Sequence, residues 1–289
     1  MFRILLLMVA TAVLLVESWV VYENLFAEVP RVCRRLERDS AITDPKIVWD
    51  TNIRYHDDLD EARCCLDIAH AGGAVKDLPY TNSWEAIRDS HASGRRVFEL
   101  DFQQLADGSL VVAHDFDEFD RVPANRIAFL EAEQSAGLTR LDFQMLAEWL
   151  ESRPGVVLTT DTKLPLTPEV LIEAFETRFA SADIAERIGF HVYSLSELEK
   201  LGGMWPDYRF LLSLYRHDTV DENALIAALK KYKPAAVALS LDRFFSLMPQ
   251  LRSHFPAMPI YTHGSPRKIN SPRLHACLQF LGASGFYLD

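Results

Sequence analysis

The chain has 289 residues, is 49% apolar and carries a formal net charge of −11. That length suits a single α/β barrel, and the apolar content rules out a largely disordered chain. The acidic balance excludes nucleic acid as the main partner, and an anionic substrate would be repelled unless a metal or local cations offset the field.

Residues 1–22 are the first segment. Ile4 to Val16 is an uncharged apolar run preceded by Arg3; Glu17 interrupts it, and Trp19, Val20, Val21 and Tyr22 continue it. A signal-peptide core takes about 7–15 residues and a spanning helix about 20, so the run lies between the two. The expectation is an uncleaved hydrophobic anchor helix with Trp19 and Tyr22 at the membrane interface; a cleaved signal is the alternative. Arg3 favours export of the body, whereas Arg31, Arg34, Arg35 and Arg38 pull the other way. The protein is therefore expected to be membrane-anchored or exported, on the periplasmic or extracytoplasmic side, and to meet the membrane through this segment.

Residues 23–63 follow as a juxtamembrane helix and a linker. Leu25, Phe26, Val29, Val32 and Leu36 have helical spacing, interrupted by Pro30, and the stretch over 41–63 is polar. The cysteines Cys33, Cys64, Cys65 and Cys277 have neither a disulfide-framework nor a zinc-site spacing. Cys64 and Cys65 read as small buried hydrophobes.

From residue 64 to 289 the pattern alternates. Short apolar strands are expected at about 65–70, 97–102, 156–161, 188–193, 209–214, 235–240, 258–262 and 284–288. Helices are expected at about 83–93, 141–151, 168–180, 195–202, 220–231, 243–253 and 271–281. Asn82-x-x-Glu85 and Ser194-x-x-Glu197 read as capping boxes, and Thr167-Pro168 as an N-cap followed by proline. Eight strands alternating with helices make an α/β fold, a (β/α)8 TIM barrel. Ala106-Asp107-Gly108 followed by Leu110 to Ala113 adds a small hairpin insertion after the second strand. The helix over 23–40 is expected to cover the end of the barrel left open after the eighth strand.

Several strand ends carry chemistry. Side chains two apart on a strand share a face, which pairs Glu99 with Asp101 and Asp161 with Lys163. Strand ends in such a barrel meet at its C-terminal mouth. Glu99, Asp101 and Asp161 are thus candidate ligands for a hard divalent cation, Ca²⁺ or Mg²⁺. His70 and His114 supply a proton acceptor and a proton donor, and Lys163 a point charge for a phosphate oxygen. Taken singly, each has a plainer reading: His70 a strand-end polar residue, Asn82 a helix cap, His114-Asp115 a turn, Lys163 an ion-pair partner. Their joint placement suits metal-assisted attack on a phosphodiester. His191, Tyr193, Tyr215, Arg216, His217 and His263 are placed to line the mouth, with barrel-rim packing the equal alternative.

Over residues 64–163 the order Ile68-Ala69-His70-x-Gly72, Asn82-x-x-Glu85, Glu99-x-Asp101, Asp107-Gly108, Val112-x-His114-Asp115 and Asp161-x-Lys163 resembles the glycerophosphodiester phosphodiesterase family. The resemblance implies metal-dependent cleavage of a small-molecule or lipid-derived glycerophosphodiester to glycerol 3-phosphate and an alcohol. It also implies His70 and His114 as the acid/base pair, Glu99, Asp101 and Asp161 as metal ligands, and Lys163 at the phosphate. Two departures stand out: Ala71 replaces an arginine, and Asp161 a glutamate. The alternatives are a phospholipase C-like cyclising phosphodiesterase and a membrane-tethered, non-catalytic module that binds phosphorylated ligands. Oligomeric state is not legible.

Overall fold

The computed structural model describes residues 67–132, 134–214, 221–263, 278 and 283–288. The anchor over 1–22, the helix and linker over 23–63, the four cysteines, Tyr215, Arg216 and His217, and all of the 271–281 helix but Leu278 lie outside the described residues. Among the described residues no helix is long and apolar enough to cross a membrane.

In chain order the strands are β1 (Ile68–Ala69), β2 (Val97–Gln104), β3 (Leu110–Val112), β4 (Leu141–Asp142), β5 (Val157–Thr162), β6 (Ile188–Val192), β7 (Arg209–Leu214), β8 (Ala236–Ser240), β9 (Ile260–His263) and β10 (Gly285–Leu288). The helices are α1 (Trp84–Ala92), α2 (Arg126–Glu131), α3 (Phe143–Glu151), α4 (Pro168–Arg178), α5 (Ser181–Arg187), α6 (Leu195–Met204), α7 (Glu222–Tyr232) and α8 (Leu241–His254). β1, β2 and β5 to β10 run parallel and close on themselves, because β1 pairs with both β10 and β2. This is the expected eight-stranded TIM barrel.

Alternation along β2 shows why the barrel forms. Phe98, Leu100 and Phe102 are fully buried and pack outward with helix residues such as Trp149, Leu150 and Phe175. Each such side chain contributes about 1.5–3 kcal/mol on burial. A second, smaller apolar cluster of Ile68, Val97, Val157, Leu211, Ala236, Ala238, Tyr261 and Tyr287 comes from the opposite face of the strands and fills the barrel interior.

The insertion after β2 is larger than a hairpin. β3 pairs antiparallel with β2, and β4 adds to β3. α2 lies between them in sequence and carries Phe129, which packs with Leu105, Val111 and Ala113 beneath Phe116 and Phe119. The Arg140 guanidinium covers Phe119 and Phe129, with its carbon 4.3 and 5.2 Å from the ring centres, and donates to Glu118. β4 is two residues long, too short for a periodic signal, and α2 is barely more than one turn.

The cap of α1 is shifted by one residue from the expected box. Ser83, not Asn82, accepts the Ala86 amide at 3.2 Å. Glu85 turns instead to Thr139, accepting from its amide and its hydroxyl. The box at Ser194 is half present: Ser194 accepts the Glu197 amide, while the Glu197 carboxylate accepts from Tyr193 N–H.

Directly after β1 the chain turns sharply through His70–Gly72. Gly73 follows with φ +99°, and a Cβ there would lie 2.1 Å from Ser90 Oγ on α1. Gly73→Ala is expected to cost about 1–3 kcal/mol through the left-handed backbone. Chemical denaturation should show it, and Ser90→Ala should recover only the part due to the clash.

Candidate active site

Glu99 and Asp101 on β2 point into the barrel at its C-terminal mouth, and Asp161 on β5 is the register partner of Asp101. All three are buried, and each offers a carboxylate oxygen within 4.8 Å of the other two. Lys163 follows β5 on the same face. Its ammonium donates to Asp161 Oδ2 at 2.6 Å and lies 2.8 Å from Asp101 Oδ1. The four expected residues are therefore one cluster.

Neutral donors complete it. Asn82 Nδ2 donates to Asp101 Oδ2 at 2.7 Å, and Asn82 Oδ1 accepts the Asp101 amide at 3.0 Å. Asn82 is thus the residue that orients Asp101, not the helix cap. Its backbone has φ +48°, a conformation asparagine tolerates better than most residues. Tyr193 donates its hydroxyl to Asp161 Oδ1. Ala71 N–H donates to Glu99 Oε2 at 2.8 Å.

Glu99 and Asp161 differ in their electrostatics. Burial, followed by the neighbouring Asp101, pushes the Glu99 carboxyl up to about 8. Burial is also the largest influence on Asp161 and works against its ionised form, but Lys163, His191 and Tyr193 together outweigh it and hold its pKa below the usual range. Lys163 is likewise disfavoured by burial, yet Asp101 and Asp161 raise its pKa above the ordinary lysine value. One lysine therefore does not satisfy three buried carboxylates. Thr159, the register partner of Glu99, is buried with its hydroxyl unpaired by any protein group. An all-oxygen donor set that lacks positive charge fits a hard divalent cation.

His70 is buried at the end of β1, its Nε2 3.9 Å from Glu99 Oε2. His114 follows β3, with Nδ1 2.7 Å from Asp115 Oδ2 and its side chain 47% exposed. Gln103 Nε2 donates to the His114 carbonyl at 3.0 Å, and Ala113 N–H donates to the Asp101 carbonyl, so the turn bearing His114 is tied to β2. Tyr80 stands between the histidines, its ring centre 4.7 Å from His70 and 5.9 Å from His114. Tyr80, Gln103 and Tyr287 have no role that sequence patterns alone predict. For Gln103 the available signal was its position two residues after Asp101, which places it on the same face.

Of the expected mouth residues, His191, Tyr193 and His263 are at the site. His191 Nε2 is 3.0 Å from the Tyr287 hydroxyl, and the Tyr287 ring packs against His70, His191 and His263.

No protein-family model and no curated protein sequence matches the chain. Solved structures do. A glycerophosphoryl diester phosphodiesterase from Parabacteroides distasonis is 12% identical over 86% of this chain and 88% of its own, with a TM-score of 0.61. A glycerophosphodiester phosphodiesterase from Thermotoga maritima is 16% identical over 78% and 94%, with a TM-score of 0.54. An Oleispira antarctica phosphodiesterase in complex with the product sn-glycerol-3-phosphate is 16% identical over 76% and 91%, with a TM-score of 0.58. At these identities the likeness is one of fold.

Burial holds the His191 imidazole down at about 4, against an ordinary value of 6.5. The unfolded chain therefore takes up a proton that the folded protein refuses between those values. Stability should be fully present above about pH 6.5 and fall by roughly 3 kcal/mol as the pH drops toward 4. Urea denaturation at pH 7, 5.5 and 4.5 should show a steeper loss for the wild-type protein than for His191→Gln.

Proposed function

We propose that this chain is a metal-dependent phosphoric diester hydrolase that cleaves glycerophosphodiesters to glycerol 3-phosphate and an alcohol. The observation that carries the reading is the buried cluster of Glu99, Asp101, Asp161 and Lys163 beside His70 at the mouth of a TIM barrel. Support comes from the fold shared with glycerophosphodiester phosphodiesterases and with a phosphodiesterase in complex with the product sn-glycerol-3-phosphate.

In this reading Glu99, Asp101 and Asp161 hold a Ca²⁺ or Mg²⁺ ion. When bound, that ion supplies positive charge against the negative charge that builds on the phosphoryl oxygens. Lys163 holds a non-bridging phosphate oxygen as a point charge. A water oxygen attacks phosphorus, and one histidine accepts its proton. The phosphorus–oxygen bond to the alcohol breaks, and the other histidine gives that oxygen a proton. His114 is equipped for either step: Asp115, an ionised acceptor, takes a hydrogen bond from Nδ1–H, which favours the tautomer with Nε2 available for proton transfer and stabilises the imidazolium. Asp115 itself stays ionised, its carboxyl held low by the His114 hydrogen bond. The carboxylates repel a free anion, so substrate and cation bind best together. The apolar run Ile4 to Val16 makes membrane anchorage or export part of this proposal, with a lipid-derived diester as a natural substrate class.

Purified full-length protein is expected to hydrolyse a glycerophosphodiester with Ca²⁺ or Mg²⁺ and to lose the activity to chelator. His70→Ala and His114→Ala should each lower kcat by about 10²–10⁴-fold. Phosphorus NMR should show glycerol 3-phosphate. A cyclic phosphate product would identify the cyclising reaction instead. Tight binding of phosphorylated ligands without turnover would identify a binding module and sink the hydrolase reading.

A further inference from the structure

Asp161 is the carboxylate of the cluster with protein donors on both oxygens from side chains of two different strand ends. Lys163 reaches Oδ2 and Tyr193 reaches Oδ1. The two donors are not equivalent. Lys163 also contacts Asp101, and an ammonium on a flexible stem can turn its charge toward a phosphate oxygen. The Tyr193 hydroxyl is neutral, so it orients the carboxylate without cancelling the charge a cation would use.

Tyr193 is itself held firmly. It lies two residues beyond His191, on the same face at the end of β6, and the two rings meet edge-on with centres 6.1 Å apart. Its amide donates to Glu197 Oε2 at 2.6 Å in the first turn of α6, whose cap is the adjacent Ser194. The rigid phenol thus delivers a hydroxyl from a strand two places along the barrel from β2. We infer that Tyr193 is a positioning residue that fixes Asp161 for cation binding and keeps it in place when Lys163 engages the substrate. The inference rests on the metal-dependent reading above. It adds a donor from the end of β6 to a carboxylate cluster whose acids stand on β2 and β5.

The test uses the full chain and titrates Mg²⁺ and Ca²⁺ calorimetrically without substrate. Tyr193→Phe keeps the ring and removes the hydroxyl. Cation affinity should fall by about 10–100-fold, the usual effect of losing a partner that orients a ligand. Turnover should fall at limiting cation and largely return at saturation. Tyr287→Phe removes a hydroxyl from the same barrel interior but from His191, and should leave cation affinity within about twofold. In an Asp161→Asn background, Tyr193→Phe should have no further effect on affinity, which separates tethering from any loss of fold stability. Unchanged affinity in Tyr193→Phe, an equal loss in Tyr287→Phe, or additive losses in the double variant would each overturn the inference. A wild-type protein with neither cation affinity nor diesterase activity would instead overturn the functional reading itself.

Discussion

Three carboxylates share a space less than 5 Å across inside a protein, and the rest of the site follows from that constraint. At such a separation, two like charges repel by about 3–4 kcal/mol even at an effective dielectric near 20. A neutral hydrogen bond returns only about 1 kcal/mol net, so hydrogen bonds alone cannot hold the cluster ionised. Positive charge must enter, and Lys163 supplies part of it. Among the described residues, Lys163 is the cation in hydrogen-bond contact with the cluster, and it reaches the two aspartates. Among the described residues, Glu99 meets a backbone amide and the more distant His70. The unequal sharing accounts for opposite behaviour in chemically similar groups: Asp161 is held ionised while Glu99 resists ionisation.

Much of this arrangement was legible along each strand. The alternation of Phe98, Leu100 and Phe102 with Glu99, Asp101 and Gln103 declares which side faces the helices and which the mouth. The i, i+2 rule likewise joined Asp161 to Lys163. What the sequence did not show are the contacts that exist only after strands are laid side by side. Asp101 faces Asp161 because of the β2–β5 register, and Tyr287 meets His191 across 96 positions of chain. Local rules failed where a tertiary partner outbid them. Asn82 looks like a helix cap by spacing, but the Asp101 carboxylate and amide claim its side chain, and the hydroxyl next door takes over the cap.

The position where the resemblance leads one to expect arginine is instructive. Ala71 is fully buried with φ +48°, and its backbone is bonded at both ends. Its N–H reaches Glu99, and its carbonyl accepts the Asn82 amide at 3.1 Å. The residue thus joins the His70 turn to the strand of acids through main-chain atoms, without using its side chain. If the proposed function holds, alanine here offers no planar, bidentate grip on phosphate, and the Lys163 ammonium would supply charge without that directionality. Orientation of the proposed diester would then fall more heavily on the shape of the mouth, where Tyr80 stands between the two histidines.

The seam where β1 meets β10 sets the order in which the barrel is completed. Ile68 pairs with Tyr287 and Ala69 with Leu288, so the two edges brought together are nearly the whole described chain apart. Pairing of such sequence-distant segments is slow, because loop entropy is lost before the contacts form. His70 directly follows one edge, and Tyr287, which packs on it, belongs to the other. The acids of β2 and β5 can assemble from neighbouring stretches of chain, but the surroundings of His70 exist only once the ring is shut. Under the proposed function, the acid cluster would form before the surroundings of His70 are complete, and acid/base chemistry would await closure of the ring.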